Sequence, residues 1–331
     1  MPGNRPELRI GTRGSQLALW QANTVAARIA ETGGPPCRIV TITTSGDRLQ
    51  EAPLSDVGGK RLFVKEIEDA LLRHEIDLAV HSSKDMPAIL PGGLTIAAVL
   101  PREDPLDAIV LPTVRTVRLK ADTTYDTPVE EIVAELGRTP VIGTGSVRRI
   151  AQLIRLFPGA RFTPVRGNLD TRLRKLDDGQ YDALVLAAAG LRRLGFVSRI
   201  ALTLPSTACV PAPGQGIVAI EIREGDEDVH CFVTPIDDPA AAAALRAERA
   251  VVVTLGGGCQ TPIGALALPV EDDELDLVAA VVSLDGSRAV RRQARGRRAD
   301  AAELGAAVAA GLLEDGAAEI LAEAQGLTTN D

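Results

Sequence analysis

The first third of the chain alternates short runs of β-branched and aliphatic residues with segments whose apolar residues recur every three or four positions. The first pattern is typical of strands and the second of amphipathic helices. This part of the chain is predicted to hold strands at 8–12, 38–44 and 77–80 and helices at 16–30 and 62–73. Residues 45–61 are a polar, glycine-rich stretch, whose length indicates a functional loop.

The same order of elements begins again near Pro140. Strands are predicted at 141–143, 161–165 and 183–186, and helices at 147–156 and 169–177. In both halves a turn with glycine, threonine and serine joins a strand to a helix, IGTRGS at 10–15 and IGTGS at 142–146. The two halves therefore predict two βαβ-type domains of similar topology with a cleft between them.

The remaining pattern predicts a third domain. A strand at 217–222 is expected to return to the first domain, and an alanine-rich helix follows at 239–254. Strands at 263–268, 276–283 and 289–293 and a helix at 301–324 then form a small α+β unit. We expect domain 1 to span 1–104 and 217–235, domain 2 to span 105–216, and domain 3 to span 236–331.

Composition narrows the class of protein. The 331 residues are 45% hydrophobic and only 2% aromatic, so aliphatic residues must fill the cores. No apolar run approaches the ~18 residues of a membrane span, and the first residues show no signal-peptide pattern, so we expect a soluble, cytoplasmic protein. The four cysteines and three histidines are too dispersed to form a metal centre, and none is expected.

Positive charge is concentrated in one segment of an acidic chain. The whole chain has a net charge of −8, whereas residues 138–199 carry eleven arginines and one lysine against four aspartates. Guanidinium groups bind carboxylates and phosphates through paired hydrogen bonds, so this segment favours a polyanionic small ligand. The alternative is that these arginines lie on solvated helix faces, because the chain uses arginine in place of lysine throughout.

Two short motifs could hold or transform such a ligand. The glycine turns end in Ser15 and Ser146, which would either bind an anion at a helix N-terminus or only cap that helix. Lys84 and Asp85 follow the strand at 77–80, at the strand end where open α/β sheets bind ligands. Asp85 could stabilise a developing cation or carry protons, or the two residues could form a structural turn.

A thiol and a loop are further candidates. Cys259 follows three glycines and could be a nucleophile, an attachment point or a bystander, since no histidine neighbours it in the sequence. Lys60 and Phe63 lie at the end of the glycine-rich stretch. That stretch could close over a ligand and exclude water, or it could be an ordinary exposed loop.

Motifs along nearly the whole chain together resemble the porphobilinogen deaminase (hydroxymethylbilane synthase) family. The matching motifs are LRIGTRGS at 8–15, LALWQ at 17–21, GGKRLFVKE at 58–66, HSSKD at 81–85, SVRR at 146–149, RGN at 166–168, TRL at 171–173, AGLRR at 189–193, PGQG at 213–216 and GGGCQTPIG at 256–264. Their number, order and spacing are specific, although each alone is weak. One departure is Gly145, where the family commonly has a serine, so one hydroxyl contact is lost.

The resemblance implies a fold and a reaction. Two α/β domains similar to periplasmic binding proteins would be hinged about an active-site cleft, with a small C-terminal α+β domain. The enzyme would join four porphobilinogen molecules head to tail with loss of ammonia and release 1-hydroxymethylbilane. A dipyrromethane cofactor would be attached to Cys259 by a thioether.

The resemblance also implies roles for individual residues. Asp85 matches the catalytic aspartate, and Lys60 and Phe63 match a mobile active-site loop. The arginines that match those holding acetate and propionate side chains are Arg13, Arg148, Arg149, Arg166, Arg172 and Arg193. The residues that match other cofactor or substrate contacts are Ser15, Gln21, Lys84, Thr144 and Ser146.

Two other classes of function compete with this interpretation. A hinged dicarboxylate-binding protein would need the same cationic cleft, but it would have no use for Asp85 and Cys259 and would normally carry an export signal. A nucleic-acid-binding protein could use the arginines of residues 138–199, but that segment has few aromatic residues for base stacking. We therefore expect a monomer whose partner is the small molecule porphobilinogen, and neither nucleic acid nor a membrane.

Overall fold

The computed structural model describes residues 6–48, 64–113, 129–258 and 261–328, and its strands form three sheets. The strands are β1 (Leu8–Thr12), β2 (Cys37–Thr41), β3 (Leu78–Ser82), β4 (Leu94–Val99), β5 (Asp107–Val110), β6 (Val141–Gly143), β7 (Arg161–Thr163), β8 (Ala183–Ala187), β9 (Ile200–Leu204), β10 (Val218–Arg223), β11 (Ile263–Pro269), β12 (Glu274–Val282) and β13 (Ala289–Arg297).

Helices flank these sheets. The helices are α1 (Gln16–Glu31), α2 (Ser45–Arg48), α3 (Lys65–Leu72), α4 (Val129–Leu136), α5 (Val147–Leu153), α6 (Leu169–Asp177), α7 (Ala188–Arg193), α8 (Glu227–Val233), α9 (Pro239–Thr254), α10 (Ala301–Glu314) and α11 (Ala317–Thr328). In addition, a 3₁₀ turn at Ser83–Asp85 follows β3 directly.

The two five-stranded sheets share one plan. Their strand orders are β2-β1-β3-β10-β4 and β7-β6-β8-β5-β9, and in each the first three strands are parallel while the other two junctions are antiparallel. The repeat predicted from the sequence is therefore confirmed. The strand predicted at 217–222 is β10, and it does return to the first sheet, where it lies between β3 and β4.

Aliphatic side chains fill the cores. In the first sheet, Ile10 and Leu78 belong to one buried cluster with Val25 of α1. In the third domain, α9 and α10 pack on the antiparallel sheet β11-β12-β13, and Ala247 and Val251 of α9 are fully buried there. The fold is thus of the mixed α/β class, with two sheet domains and a small C-terminal domain. The exact domain boundaries remain predictions.

The chain passes between the two large sheets twice, at residues 100–106 and 205–217, which we call the crossing segments. Gly216 adopts φ +88°, and a Cβ added there would lie 2.2 Å from the carbonyl oxygen of Glu103 on the other crossing segment. Only glycine fits this close approach without strain. The backbone N–H of Glu103 donates to the Gly216 carbonyl at 3.0 Å, so the two segments run side by side.

One buried carboxylate ties the third domain to the crossing segments. Glu248 of α9 is fully buried and lies 2.5 Å from the Arg102 guanidinium. It also accepts the backbone N–H groups of Gly214 at 2.6 Å and of Ala267 at 2.8 Å. A buried charge needs this degree of pairing, so Glu248 fixes how α9 sits against the two crossing segments and β11.

Some elements differ from the predictions. The predicted helix at 301–324 is two helices, because the chain turns at Gly316, where φ is +94°. The strand predicted at 77–80 continues through Ser82 in β3. The loop predicted to start at residue 45 begins with the short helix α2. Elements with little periodic signal were missed in the sequence, namely β4, β5, β9, α4, α7 and α8.

In the part of the chain that the structure describes, no helix is long and apolar enough to cross a membrane. The same residues contain no group of three or more histidine, cysteine, aspartate or glutamate side chains that could hold a metal ion.

Replacing Glu248 by glutamine should weaken the fold. Glu248→Gln leaves the buried Arg102 guanidinium without its counter-charge, and breaking a buried pair costs about 3–5 kcal/mol. We expect a correspondingly lower midpoint in denaturant unfolding. The control is Glu75→Gln, which removes an exposed ion pair with Arg73 and should leave the midpoint unchanged. Equal midpoints for the wild type and Glu248→Gln would contradict the structural role of this carboxylate.

Candidate active site

A pocket opens where the parallel strands β1 and β3 end side by side. The turn after β1 supplies Arg13 and Ser15, α1 supplies Gln21, and the end of β3 and the following 3₁₀ turn supply Ser82 and Asp85. The other lining residues are Leu17, Ala18, Val64, Val80 and His81. Among the described residues that line this pocket, Asp85 is the only acid.

Local hydrogen bonds fix the polar wall of the pocket. The Oγ of Ser15 accepts the N–H of Ala18 at 3.3 Å and so caps α1. The Nε2 of the buried Gln21 donates to the Oγ of Ser82 at 2.8 Å. Ser15 therefore caps its helix and lines the pocket at the same time, and the two interpretations of this serine are compatible.

Charged side chains from both sheet domains lie near Arg172. Burial and the positive charges of Arg149, Arg166 and Arg13 together lower the pKa of Arg172 to about 10, while the negative charge of Asp85 acts in the opposite direction. The Nε of Arg172 donates to the Gly167 carbonyl at 2.8 Å, which sets the direction of its guanidinium. The structure thus brings four of the six predicted arginines into one electrostatic cluster with the predicted catalytic aspartate.

Two of the predicted carboxylate-binding arginines pair with a carboxylate of the protein itself. Asp107, the fully buried first residue of β5, accepts from the Nη1 of Arg148 at 2.7 Å and from the Nη2 of Arg149 at 2.8 Å. Burial would raise the pKa of Asp107, but the two guanidiniums outweigh it and hold that pKa far below its ordinary value. Arg149 also donates to the Val185 carbonyl at 2.9 Å.

Arg193 contacts Gly216 and Trp20. Its Nη2 donates to the Gly216 carbonyl at 2.7 Å, and its guanidinium lies 5.5 Å from the ring centroid of Trp20 on α1. Burial lowers the pKa of Arg193 to about 10. Arg193 therefore joins α7 of the second sheet domain to α1 of the first through a cation–π contact.

The second glycine turn is also bonded internally. The Oγ1 of the buried Thr144 accepts the N–H of Ser146 at 3.3 Å, and the Oγ of Ser146 accepts the N–H of Arg149 at 3.4 Å, which caps α5. Three further predicted site residues, Cys259, Lys60 and Phe63, lie outside the described residues. On either side of Cys259, the N–H of Thr261 donates to the Gly258 carbonyl at 3.0 Å.

Comparison with known proteins agrees with this geometry. The model of the porphobilinogen deaminase, dipyromethane cofactor binding domain matches residues 8–231, and the model of the porphobilinogen deaminase C-terminal domain matches residues 242–314. The chain belongs to the porphobilinogen deaminase family. The first model spans both large sheets and the second covers most of the third, so the family relation holds for every domain.

Individual relatives agree over almost the full length. The porphobilinogen deaminase of Geobacter metallireducens is 45% identical over 96% of this chain and 94% of its own. That of Roseiflexus castenholzii is 45% identical over 96% of this chain and 99% of its own. Among solved structures, an ancestral cationic amino acid solute-binding protein aligns over 70% of this chain and 88% of its own at 15% identity, with a TM-score of 0.40.

The pocket suits the cofactor named for this family. A dipyrromethane carries several carboxylates, so a site that fits it must supply several positive charges. Arg13 lines the pocket, and Arg13, Arg149 and Arg166 lie near enough to Arg172 to act on its pKa. Guanidinium groups bind carboxylates through paired hydrogen bonds, so these arginines would hold the carboxylates of the cofactor.

Sequence reasoning missed two residues that organise this family site. Asp107 was hidden because it opens a short strand, 41 residues before Arg148 in the sequence. Gln215 lies in the PGQG motif that matches the family, but no role was predicted for it; its fully buried side chain bonds both Lys84 and Asp107. The signal for Asp107 was charge balance, because buried arginines require a buried acid.

Asp107→Asn should change the response of the fold to acid. Because its pKa is lower in the folded protein than in the unfolded chain, the ionised carboxylate stabilises the fold above about pH 4, and this stabilisation is lost as the pH falls further. Asp107→Asn should therefore be about 3–5 kcal/mol less stable at pH 7 and lose less stability between pH 5 and pH 3. Unfolding midpoints measured across this pH range test both expectations.

The control for this variant is Asp177→Asn, which removes a more exposed ion pair with Arg199. Such a pair contributes at most about 1 kcal/mol. If the pH curves of Asp107→Asn and the wild type ran parallel, the Asp107 carboxylate would not be the buried counter-charge described above.

Proposed function

We infer that this chain is a hydroxymethylbilane synthase of tetrapyrrole biosynthesis. It condenses four porphobilinogen molecules head to tail, with loss of ammonia, onto a covalently held dipyrromethane primer and then releases 1-hydroxymethylbilane by hydrolysis. The observation that carries this inference is that, in a member of the porphobilinogen deaminase family, Arg13, Arg149 and Arg166 together with Asp85 lie near enough to Arg172 to act on its pKa.

Substrate binding is the task of the arginines. Each pyrrole of the substrate carries two carboxylates, so the growing chain gains negative charge at every step. Arg13, Arg166 and Arg172 offer forked donors that match carboxylates, in a protein whose net charge of −8 would otherwise repel such a chain. We propose that these three residues bind substrate and primer carboxylates directly.

Arg148 and Arg149 have a different balance of partners. Both are buried and paired with Asp107, so part of their hydrogen-bonding capacity is already used by the protein. We propose that Arg149 contributes its charge to the cluster and that Arg148 mainly supports Asp107. We propose that Arg193 mainly stabilises the contact between α7 and α1 through Trp20, and that binding a carboxylate is its second role.

Asp85 is proposed as the catalytic residue. When ammonia leaves porphobilinogen, the breaking C–N bond leaves positive charge delocalised over the substrate pyrrole. A fixed carboxylate in a pocket that excludes water stabilises such charge more strongly than solvent does. The 3₁₀ turn at Ser83–Asp85, closed by the bond from the Met86 N–H to the Ser83 carbonyl at 3.1 Å, holds Asp85 at the pocket wall.

Lys84 supplies a charge that depends on pH. Loss of hydration lowers the pKa of Lys84 to about 8, and the positive charge of Arg149 acts in the same direction. Its Nζ is therefore protonated below pH 8 and can hold a carboxylate or a proton beside Asp85. Above that pH the charge is lost, and carboxylate binding at this position should weaken.

The primer is proposed to be held by Cys259 and by the cationic cluster. When bound, dipyrromethane supplies the pyrrole carbon to which the first substrate is joined. The residues proposed to hold it are Arg13, Ser15, Lys84, Thr144, Ser146, Arg149, Arg166 and Arg172. Lys60 and Phe63 are proposed to belong to a loop that covers the pocket during the reaction.

A nucleic-acid-binding function finds no comparable support. That alternative rests on the arginines of residues 138–199, and several of these are paired with acids of the protein: Arg148 and Arg149 with Asp107, Arg192 with Asp104 and Arg199 with Asp177. These pairs leave less positive charge for a phosphate backbone. The monomeric state, the cytoplasmic location and the lack of nucleic-acid binding remain predictions.

Asp85→Asn should nearly abolish turnover while the fold is kept. Asparagine has the same shape but no charge, and removal of one electrostatic stabiliser of this kind costs about 10²–10³-fold in rate. The measurement is hydroxymethylbilane formation at saturating porphobilinogen, with the unfolding midpoint as a check on the fold. Asp228→Asn, an exposed site on α8, is the control and should behave like the wild type. Wild-type turnover by Asp85→Asn would remove Asp85 from the mechanism.

A further inference from the structure

Gln215 connects the two sheet domains through its side chain. Its Nε2 donates to the Pro105 carbonyl at 2.7 Å and to the Oδ1 of Asp107 at 2.9 Å. Its Oε1 accepts from the Nζ of Lys84 at 3.2 Å. One fully buried amide thus joins the turn that carries Asp85 to the carboxylate that pairs with Arg148 and Arg149.

The backbone around Gln215 leaves this side chain little freedom. Its carbonyl accepts the Nε of Arg102 at 2.9 Å, and its N–H donates to the Ala212 carbonyl at 2.9 Å. On one side the Gly214 N–H is held by Glu248, and on the other the Gly216 carbonyl is held by Glu103 and Arg193. These backbone bonds therefore fix the position from which the amide reaches Lys84.

An amide is the side chain that this position requires. Two N–H donors face a carbonyl and a carboxylate, while the one oxygen faces an ammonium, so the reversed amide would place like partners together. A leucine of similar size would leave the Nζ of Lys84 and the Oδ1 of Asp107 each without one hydrogen-bond partner, which is costly for charged groups away from water.

We propose that Gln215 is a positioning residue that holds Lys84 beside Asp85 and ties its orientation to the Asp107–Arg149 pair across the crossing segments. The role of Lys84 in turnover rests on the proposed function, whereas its attachment to Gln215 does not. A change in the path of the crossing segments would then change the position of Lys84 relative to Asp85.

The charges around Lys84 make this attachment measurable. Arg149 and Arg148 disfavour its ammonium form, and Asp85 and Asp107 favour it. The Gln215 oxygen is the neutral acceptor in this set, and hydrogen bonding to the charged form of a group stabilises that form. Loss of the acceptor should therefore lower the pKa of Lys84.

The experiment is a pH titration of ¹³Cε-lysine-labelled holoenzyme by NMR. The chain has only five lysines, so the Lys84 signal can be assigned by its loss in Lys84→Arg. In the wild type we expect it to titrate near pH 8. Gln215→Leu should lower this midpoint by about one pH unit, and Gln215→Glu, which keeps an oxygen at the same place, should not lower it. Gln215→Met replaces the leucine variant if the latter does not fold.

The matched control is Gln152→Leu. Gln152 is another buried glutamine, whose amide bonds both backbone groups of Val210 without touching Lys84. It should lose stability like Gln215→Leu and leave the Lys84 midpoint unmoved. An unmoved midpoint in Gln215→Leu, or an equal shift in both variants, would overturn the inference while the proposed function stood.

The second part of the experiment measures the turnover of the same variants. Gln215→Leu should reduce kcat by roughly 10–100-fold through misplacement of Lys84, whereas Gln215→Glu should retain more of it. A shifted Lys84 midpoint with wild-type kcat would also overturn the positioning role. If instead Asp85→Asn kept full activity while the Lys84 shift appeared as expected, the proposed mechanism would fail and the attachment would stand.

Discussion

The structure around the site depends on the free-energy cost of placing several guanidinium groups close together and partly out of contact with water. Burial lowers the pKa of Arg172, and the positive charges of Arg149, Arg166 and Arg13 act in the same direction. The protein offsets part of this cost with one buried acid, Asp107, placed so that it pairs with Arg148 and Arg149 together. Asp85 is the only acid among the described residues that line the pocket, where it lies with Arg13. In the proposed function, the carboxylates of the pyrrole chain would pair with the arginines near this pocket.

The same buried charges decide how the domains are held. Glu248 binds Arg102 and the backbone of both Gly214 and Ala267, so the third domain is attached at the place where the chain passes between the two large sheets. Gln215, one residue further along, carries this fixed geometry to Lys84 and Asp107. Structure and chemistry are therefore not separable in this region. The residue Gln215, which lies between the domains, also bonds Lys84 and Asp107, two charged groups close to Asp85 and to the arginines Arg148 and Arg149.

Much of the fold could be predicted from the sequence, because long amphipathic helices and β-branched runs carry their own signal. The strand Leu8–Thr12 and the helices Leu169–Asp177 and Pro239–Thr254 have the predicted bounds. Short strands such as Asp107–Val110 were missed, since four residues give no usable period. The motifs identified the family and the pocket around Asp85, but they could not tell which arginines face a ligand. That distinction depends on Asp107, whose contact with Arg149 joins residues 42 positions apart and exists only in the folded chain.

The central claim is that the cationic pocket serves a pyrrole chain anchored covalently at Cys259. The most direct test is the intact mass of the purified wild type beside Cys259→Ser, each before and after incubation with porphobilinogen. The account predicts an excess equal to two linked pyrrole units on the wild type, further increments after incubation, and neither in Cys259→Ser. A wild type that stays unmodified after incubation, or a variant that carries the same adduct, would contradict it.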